Sequence, residues 1–177
     1  MACIKTLNRA ITYACQSGSV GIAEMYLINF DDVTATTEGP LLDILTLTLK
    51  SGAKTIPVEA YKNGAKLTEA LKLSDVSAGL DQSITFTVYD KSRDSRLVIN
   101  ALMSGRFMAA VKLNDINAVK LLVGYKCGLE ISQADTDSSA AGGFTTITIK
   151  TPDDARGENR WGLNDVAWNT IVSAKLV

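Results

Sequence analysis

The chain reads as mostly β: an antiparallel β-sandwich or partly closed barrel with one flanking α-helix at about residues 92–104. Three features of its 177 residues predict this. Several segments alternate apolar and polar side chains with a period of two, the pattern of half-buried strands. One stretch, RLVINAL from Arg96, carries a helical stripe instead. The connections between alternating segments are mostly too short for the crossovers that parallel strands need.

Taken in order, SVGIAEMYLINF (19–30) sets Ile22, Met25, Leu27 and Phe30 among polar or small neighbours and reads as a first strand. The preceding residues, about 1–18, read as a short helical turn or an extended arm. VTATTEGP (33–40) ends in Gly39-Pro40 and reads as a loop. LLDILTLTLK (41–50) places Leu45, Leu47 and Leu49 on one side of a strand, with Thr46 and Thr48 on the other. A turn at SGAK leads to TIPVEAYKNG, a short extended piece whose Pro57 confines it to a sheet edge or bulge. Lys62-Asn63-Gly64 signals a turn. In AKLTEALKLSD, Leu67, Leu71 and Leu73 fit a helix or a strand, and strand is the reading adopted.

Ile84, Phe86 and Val88 then alternate with Thr85, Thr87 and Tyr89, a strongly strand-favouring composition. Ser92 or Asp94 caps the helix, Leu97, Val98, Ala101 and Leu102 form its apolar stripe, and Gly105 ends it in a left-handed C-cap. Phe107, Ala109 and Val111 resume a strand. A further strand around Val119–Val123 leads through a glycine-bracketed, hairpin-like turn at Gly124–Gly128 into another from Leu129. The loop 132–143 is polar and mobile. FTTITIK alternates again, with Ile147 and Ile149 on one face. A charged, mobile loop at 151–160 precedes VAWNTIVSAKLV, which reads as a last strand. About eight strands and one helix are expected, in a single domain over 1–177.

Composition narrows the chemistry. Hydrophobic residues are 46% of the chain, enough for a sizeable core, and no stretch approaches the roughly 20 apolar residues of a membrane helix. A net charge of −1 argues against a polyanion-coating protein. There is no signal-peptide pattern at the N-terminus. Cys3, Cys15 and Cys127 read as three reduced thiols, with a Cys3–Cys15 bridge left open. Histidine is absent, so nucleophile pairs that need an imidazole base are excluded. No phosphate-cradling glycine motif or nucleophile elbow is present. Asp31-Asp32, Asp135 with Asp137, Asp153-Asp154 and Glu24 read as solvated charge, because none has the spacing of a calcium loop. No catalytic residue, cofactor or metal ligand is expected.

Trp161 and Trp168 have two readings: a hydrophobic anchor for the C-terminus, or aromatic anchors at a subunit interface. Lys91, Arg93 and Arg96 sit at the helix N-terminus, the wrong end for cations on helix-dipole grounds. They read as solvent-facing charge, or as a match for an acidic surface on a neighbour. These five residues are the candidate interface set.

Two segments carry a resemblance. RLVINALMSGRFMAAVKLNDINAVKLLVGYKCGLEISQADTDSSAAGGFTTITIK is similar to tail proteins of phages infecting Bacteroidetes-type bacteria: a helix ending in a small-residue turn, a strand, an L-G…G-L turn, a small-residue loop and an alternating strand. The matching elements are Leu97–Gly105, Leu122–Gly124, Gly128-Leu129 and Gly143–Ile149. The opening MACIKTLNRAITYACQSGSVGIAEMYLINFDDV, with two early cysteines, resembles the start of the same proteins. The chain departs from them before Phe144, where AAGGF replaces a D-x-N-G-Y turn. The resemblance implies a tail tube-like structural protein of the virion, assembled in the host cytoplasm. It also implies a homo-oligomeric ring, hexameric, stacking into a tube that conducts DNA during ejection. Its partners would then be itself, other tail proteins, and double-stranded DNA touched transiently and without sequence preference in the lumen; no membrane is involved. Alternatives are a connector, terminator or baseplate ring and, more remotely, a monomeric surface- or glycan-binding sandwich or a carboxylate enzyme.

Overall fold

In a computed structural model the described residues are 21–59, 64–74, 77–88, 93–115, 117–136 and 144–176. They form β1 (Ile22–Asn29), a 3-10 turn (Phe30–Asp32), β2 (Val33–Glu38), β3 (Asp43–Leu49), β4 (Ile56–Val58), β5 (Lys66–Ser74), β6 (Ser77–Val88) and α1 (Arg93–Ser104). β7 (Phe107–Leu113), β8 (Lys120–Val123), β9 (Glu130–Thr136), β10 (Thr145–Lys150), β11 (Trp161–Leu163) and α2 (Asp165–Ser173) follow. The strands make a large sheet, ordered β2-β3-β11-β8-β7-β1-β4, and a small one, ordered β5-β6-β10-β9. Both sheets keep open edges, so the architecture is the sandwich rather than a closed barrel.

Two cores on opposite faces of the large sheet explain its sequence. Met25, Leu27, Ala109, Val111, Leu121 and Val123 pack against Ile84, Phe86, Ile147 and Ile149 of the small sheet. The intervening Tyr26, Ile28, Met108, Ala110 and Leu122 pack on the other side, with Ala167, Trp168 and Ile171 of α2. β7 is therefore buried on both faces, and FMAAV is continuously apolar, as a strand covered on both sides must be. In the small sheet only one face is covered, and its strands alternate.

Several expectations need correcting. Residues 33–38 form β2, not a loop: the threonines are β-branched, and their backbone is paired to β3. In β3, Leu45 is displaced to an exposed position. Thr37 pairs with Thr46 and Glu38 with Ile44, so Leu45 is the extra residue of a β-bulge; Ile44 is buried in its place, while Leu47 and Leu49 keep the expected face. Gly124 and Gly128 do take the left-handed conformation, at φ +73° and +72°. Their turn, however, passes the chain from the large sheet to the small one and closes no hairpin. β3 and β11 are parallel, since they are far apart in sequence and no short connection fixes their direction. The first part of the expected 132–143 loop continues β9 to Thr136; residues 137–143 lie outside the described residues.

The ends of the helices also differ from expectation. The last strand is a helix, α2. Asn164 caps it by accepting a hydrogen bond from the Ala167 backbone N–H at 2.9 Å, and Ala167, Trp168 and Ile171 line its buried side. Gly105 follows α1 without a positive φ. Its missing side chain makes room for the Phe107 ring. Ser92 lies outside the described residues.

Candidate functional site

No group of three acidic or thiol side chains able to hold a cation gathers among the described residues. Asp31 and Asp32 sit in the 3-10 turn, Asp135 on β9, and Asp153 and Asp154 on the segment after β10. Glu24 is paired with Lys112 at 2.7 Å. Asp137 lies outside the described residues, as do Cys3 and Cys15; Cys127 is a free thiol whose Sγ–H donates to the Arg156 carbonyl at 3.3 Å.

Of the candidate interface residues, the four described ones fall in two separate places. Trp161 and Trp168 are 2% and 5% exposed in the core between the large sheet and α2. Trp168 meets Tyr26 edge-on at 5.6 Å and Trp161 meets Tyr125 at 5.1 Å. In the single chain they fasten the C-terminal segment, the first of their two readings. Lys91 lies outside the described residues, while Arg93 and Arg96 are exposed in the first turn of α1.

What the structure does bring together is a set of unfinished surfaces around the small sheet. The first is its pair of edges. β5 ends the sheet on one side and β9 on the other, and β9 is exposed from Ser132 to Thr136. A bare edge presents unpaired N–H and C=O groups to any strand that can lie beside it. The second is its outer face. Because Ile84, Phe86, Ile147 and Ile149 point into the core, their chain neighbours Ser83, Thr85, Thr87, Thr146 and Thr148, and Thr68 opposite Ser83, point out. The Thr85 and Thr148 hydroxyls are bonded at 3.0 Å. The charges on that face are mixed: Lys66, Lys72 and Lys150 against Asp81, Glu130 and Asp135.

The third surface is a projecting hairpin. β10 stops at Lys150, opposite Ser83, but β5 and β6 stay paired as far as Ser74 and Ser77. Beyond the sandwich the inward-type positions carry Leu71 and Leu73, which are 67% and 71% exposed. The fourth is the outward side of α1. Leu102 is its buried residue, with Ile99 partly buried beside it, while Leu97 and Val98 are 57% and 41% exposed and Ala101 is exposed too. Most of the stripe expected to cover the sheet thus faces away from it.

The root of the hairpin is held by a buried polar network. Gln82, 1% exposed, donates to Glu69 at 2.9 Å and accepts from the Gly124 N–H at 3.1 Å. Arg160 closes on the other Glu69 oxygen, its Nε at 2.7 Å. Thr151 exchanges hydrogen bonds with the Gln82 backbone, and Leu80 and Glu158 exchange both backbone bonds at 2.7 and 3.0 Å. The 151–160 segment, expected as a mobile loop, is therefore stitched to β6 through buried Thr151 and Glu158. Glu158 Oε1 accepts from the Lys126 and Cys127 N–H groups, each at 2.5 Å, while Oε2 is buried with no hydrogen-bond partner. Burial pushes its carboxyl above the ordinary glutamate value, against the pull of those N–H groups. This cluster fastens two loops to a strand.

Sequence reasoning placed the hairpin leucines on a strand but did not show that they project beyond the sandwich. The missing signal was length: twelve residues of β6 outrun the six of β10. Compared with family models, with curated proteins and with solved structures, the chain matches none.

Proposed function

We propose that the chain is a structural subunit that joins copies of itself edge to edge into a ring, and that stacked rings form the tube of a phage tail. The supporting observation is the small sheet. Its four strands alternate in direction and, among the described residues, end in two bare edges, β5 and β9. An even number of alternating strands lets β5 of one copy lie antiparallel beside β9 of the next, with the same joint repeated at every copy. Such a head-to-tail contact closes into a ring when the rotation per copy permits. Carried across at the same height, Lys66 falls beside Gln133 and between the outward carboxylates Asp135 and Glu130. The large sheet suits the outside of such a ring, because α2 covers its far face. The uncovered face of hydroxyls and balanced charge then faces inward, where DNA must slide without being gripped.

Sedimentation and electron microscopy of the purified chain test this. Rings and hollow tubes are expected at high concentration; single rings alone favour a connector or baseplate role, and a solitary monomer at every concentration sinks the proposal. Lys66→Glu places like charges across the joint and should weaken ring formation by roughly fivefold, the scale of an exposed pair. Asp135→Lys in the same chain should restore it.

A further inference from the structure

We infer that the leucine tip of the β5–β6 hairpin seats on the outward stripe of α1 in a copy belonging to the next ring, forming the end-to-end contact of the stack. The inference rests on the ring reading above and goes beyond it by naming the second interface. Both surfaces are apolar and uncovered in one chain: Leu71 and Leu73 on the hairpin, Leu97, Val98 and Ala101 on the helix. Exposed leucines at this density, on two separate elements, mark contact surfaces.

Their placement selects the occupant. The hairpin projects past the end of the small sheet where β5 finishes and β6 begins. α1 starts from the opposite end, after Val88, at the level where β6 pairs with Thr145 and β10 with Thr136. It then runs back along β9 to Arg106, whose guanidinium meets Glu130 at 2.7 Å. Patches separated across the sheet are joined by rotation within a ring. Patches separated along the strands cannot be, and only a copy displaced along the strand direction brings them together. The edge joint helps, since it sets the β5–β6 hairpin of one copy beside the β9 and α1 column of its neighbour.

Charge agrees locally. Lys72, on the opposite face of β5 from Leu71 and Leu73, donates to the Asp153 carbonyl at 2.8 Å, which fixes exposed Asp153 and Asp154 against the hairpin. Lys150 is committed to Asp153 at 2.5 Å, and the exposed cations of that segment are Arg156 and Arg160, the second of them bonded to Glu69. Beside the helix patch stand Arg93 and Arg96, placed where the helix dipole disfavours them. Seating the tip on the stripe brings Asp154 towards those arginines and accounts for cations at that end.

The test uses the full chain with Leu71→Asp/Leu73→Asp, and separately Leu97→Asp. All three positions are exposed, so an unchanged thermal unfolding curve should accompany each variant. Rings are expected to persist while the concentration for tube growth rises by roughly a hundredfold, the scale of two leucine anchors lost from a buried contact. Arg96→Asp should impair stacking, and Asp154→Arg added to it should recover tubes. Tubes that grow from Leu71→Asp/Leu73→Asp and from Leu97→Asp as readily as from the unaltered chain overturn this contact while leaving the ring intact. An unaltered chain that never forms rings removes the ring reading and this contact together.

Discussion

Glu158 shows how one side chain can fasten two loops at an energetic cost that pH reveals. Its carboxyl bridges the turn after β8 to the segment after β10, and no solvent reaches Oε2. A carboxyl whose folded pKa is raised contributes stability that is fully present below its unfolded pKa and is lost as pH rises through the folded value. Glu38, Asp153 and Asp165 lie on the other side of the balance. Hydrogen bonds from Lys126, Lys150 and Lys120 lower their pKa, so their contribution is present above the ordinary carboxylate range and lost in acid. Above the ordinary carboxylate range the Glu158 slope should therefore stand out. Urea unfolding there should show stability falling with pH in the unaltered chain and a flatter profile in Glu158→Gln. An unchanged slope in the variant would assign the pH dependence elsewhere. None of this was legible in the sequence, where Glu158 sits in a charged run, TPDDARGENRWG, that reads as solvated. The closeness of Gly79 and Gly157, whose backbones meet where no Cβ would fit, is what draws that run under the hairpin.

At the scale of elements, the strands with one covered face were readable and those with two were less so. β6 and β10 alternate because solvent lies on one side, and Ile84, Phe86, Ile147 and Ile149 fell on the predicted face. β2 was lost to its Gly-Pro ending, and in β3 Leu45 alone was misplaced, because a bulge leaves no trace in a pattern of leucine and threonine. α2 was missed because valine, threonine and isoleucine favour strands, while the cap and the Ala167, Trp168, Ile171 spacing say helix. If that account is right, the cap carries measurable stability. Asn164→Ala should cost about 1 kcal/mol by chemical denaturation, and Asn164→Asp, which keeps an acceptor oxygen, only a few tenths. Equal losses from both would mean that the Ala167 hydrogen bond is not what starts the helix. Trp161 and Trp168 kept two readings in the sequence for a related reason. Enrichment of tryptophan at interfaces says nothing of which side of a sheet is already covered, and here α2 covers it.

For the whole molecule, the open question is what the bare face of the small sheet meets. A surface evolved to hold nucleic acid concentrates cations, and each phosphate it neutralises steepens the fall of affinity with salt by about 0.9 in a log–log plot. Here Lys66, Lys72 and Lys150 are offset by Asp81, Glu130 and Asp135, and Lys72 and Lys150 are already bonded within the chain. A short duplex titrated into the unassembled chain should thus bind no tighter than roughly 0.1 mM at physiological salt, with a slope near zero. Gln133→Lys/Asp135→Lys changes two exposed positions on β9 without touching the core. It should tighten binding and steepen the slope by roughly two. Tight, strongly salt-dependent binding by the unaltered chain would contradict a sliding surface and favour a clamp. The same variant also removes Asp135 from the proposed joint with Lys66, so it should assemble less readily while gripping DNA more. In the proposed ring those two properties are coupled through one strand, because β9 would be both rim and lining.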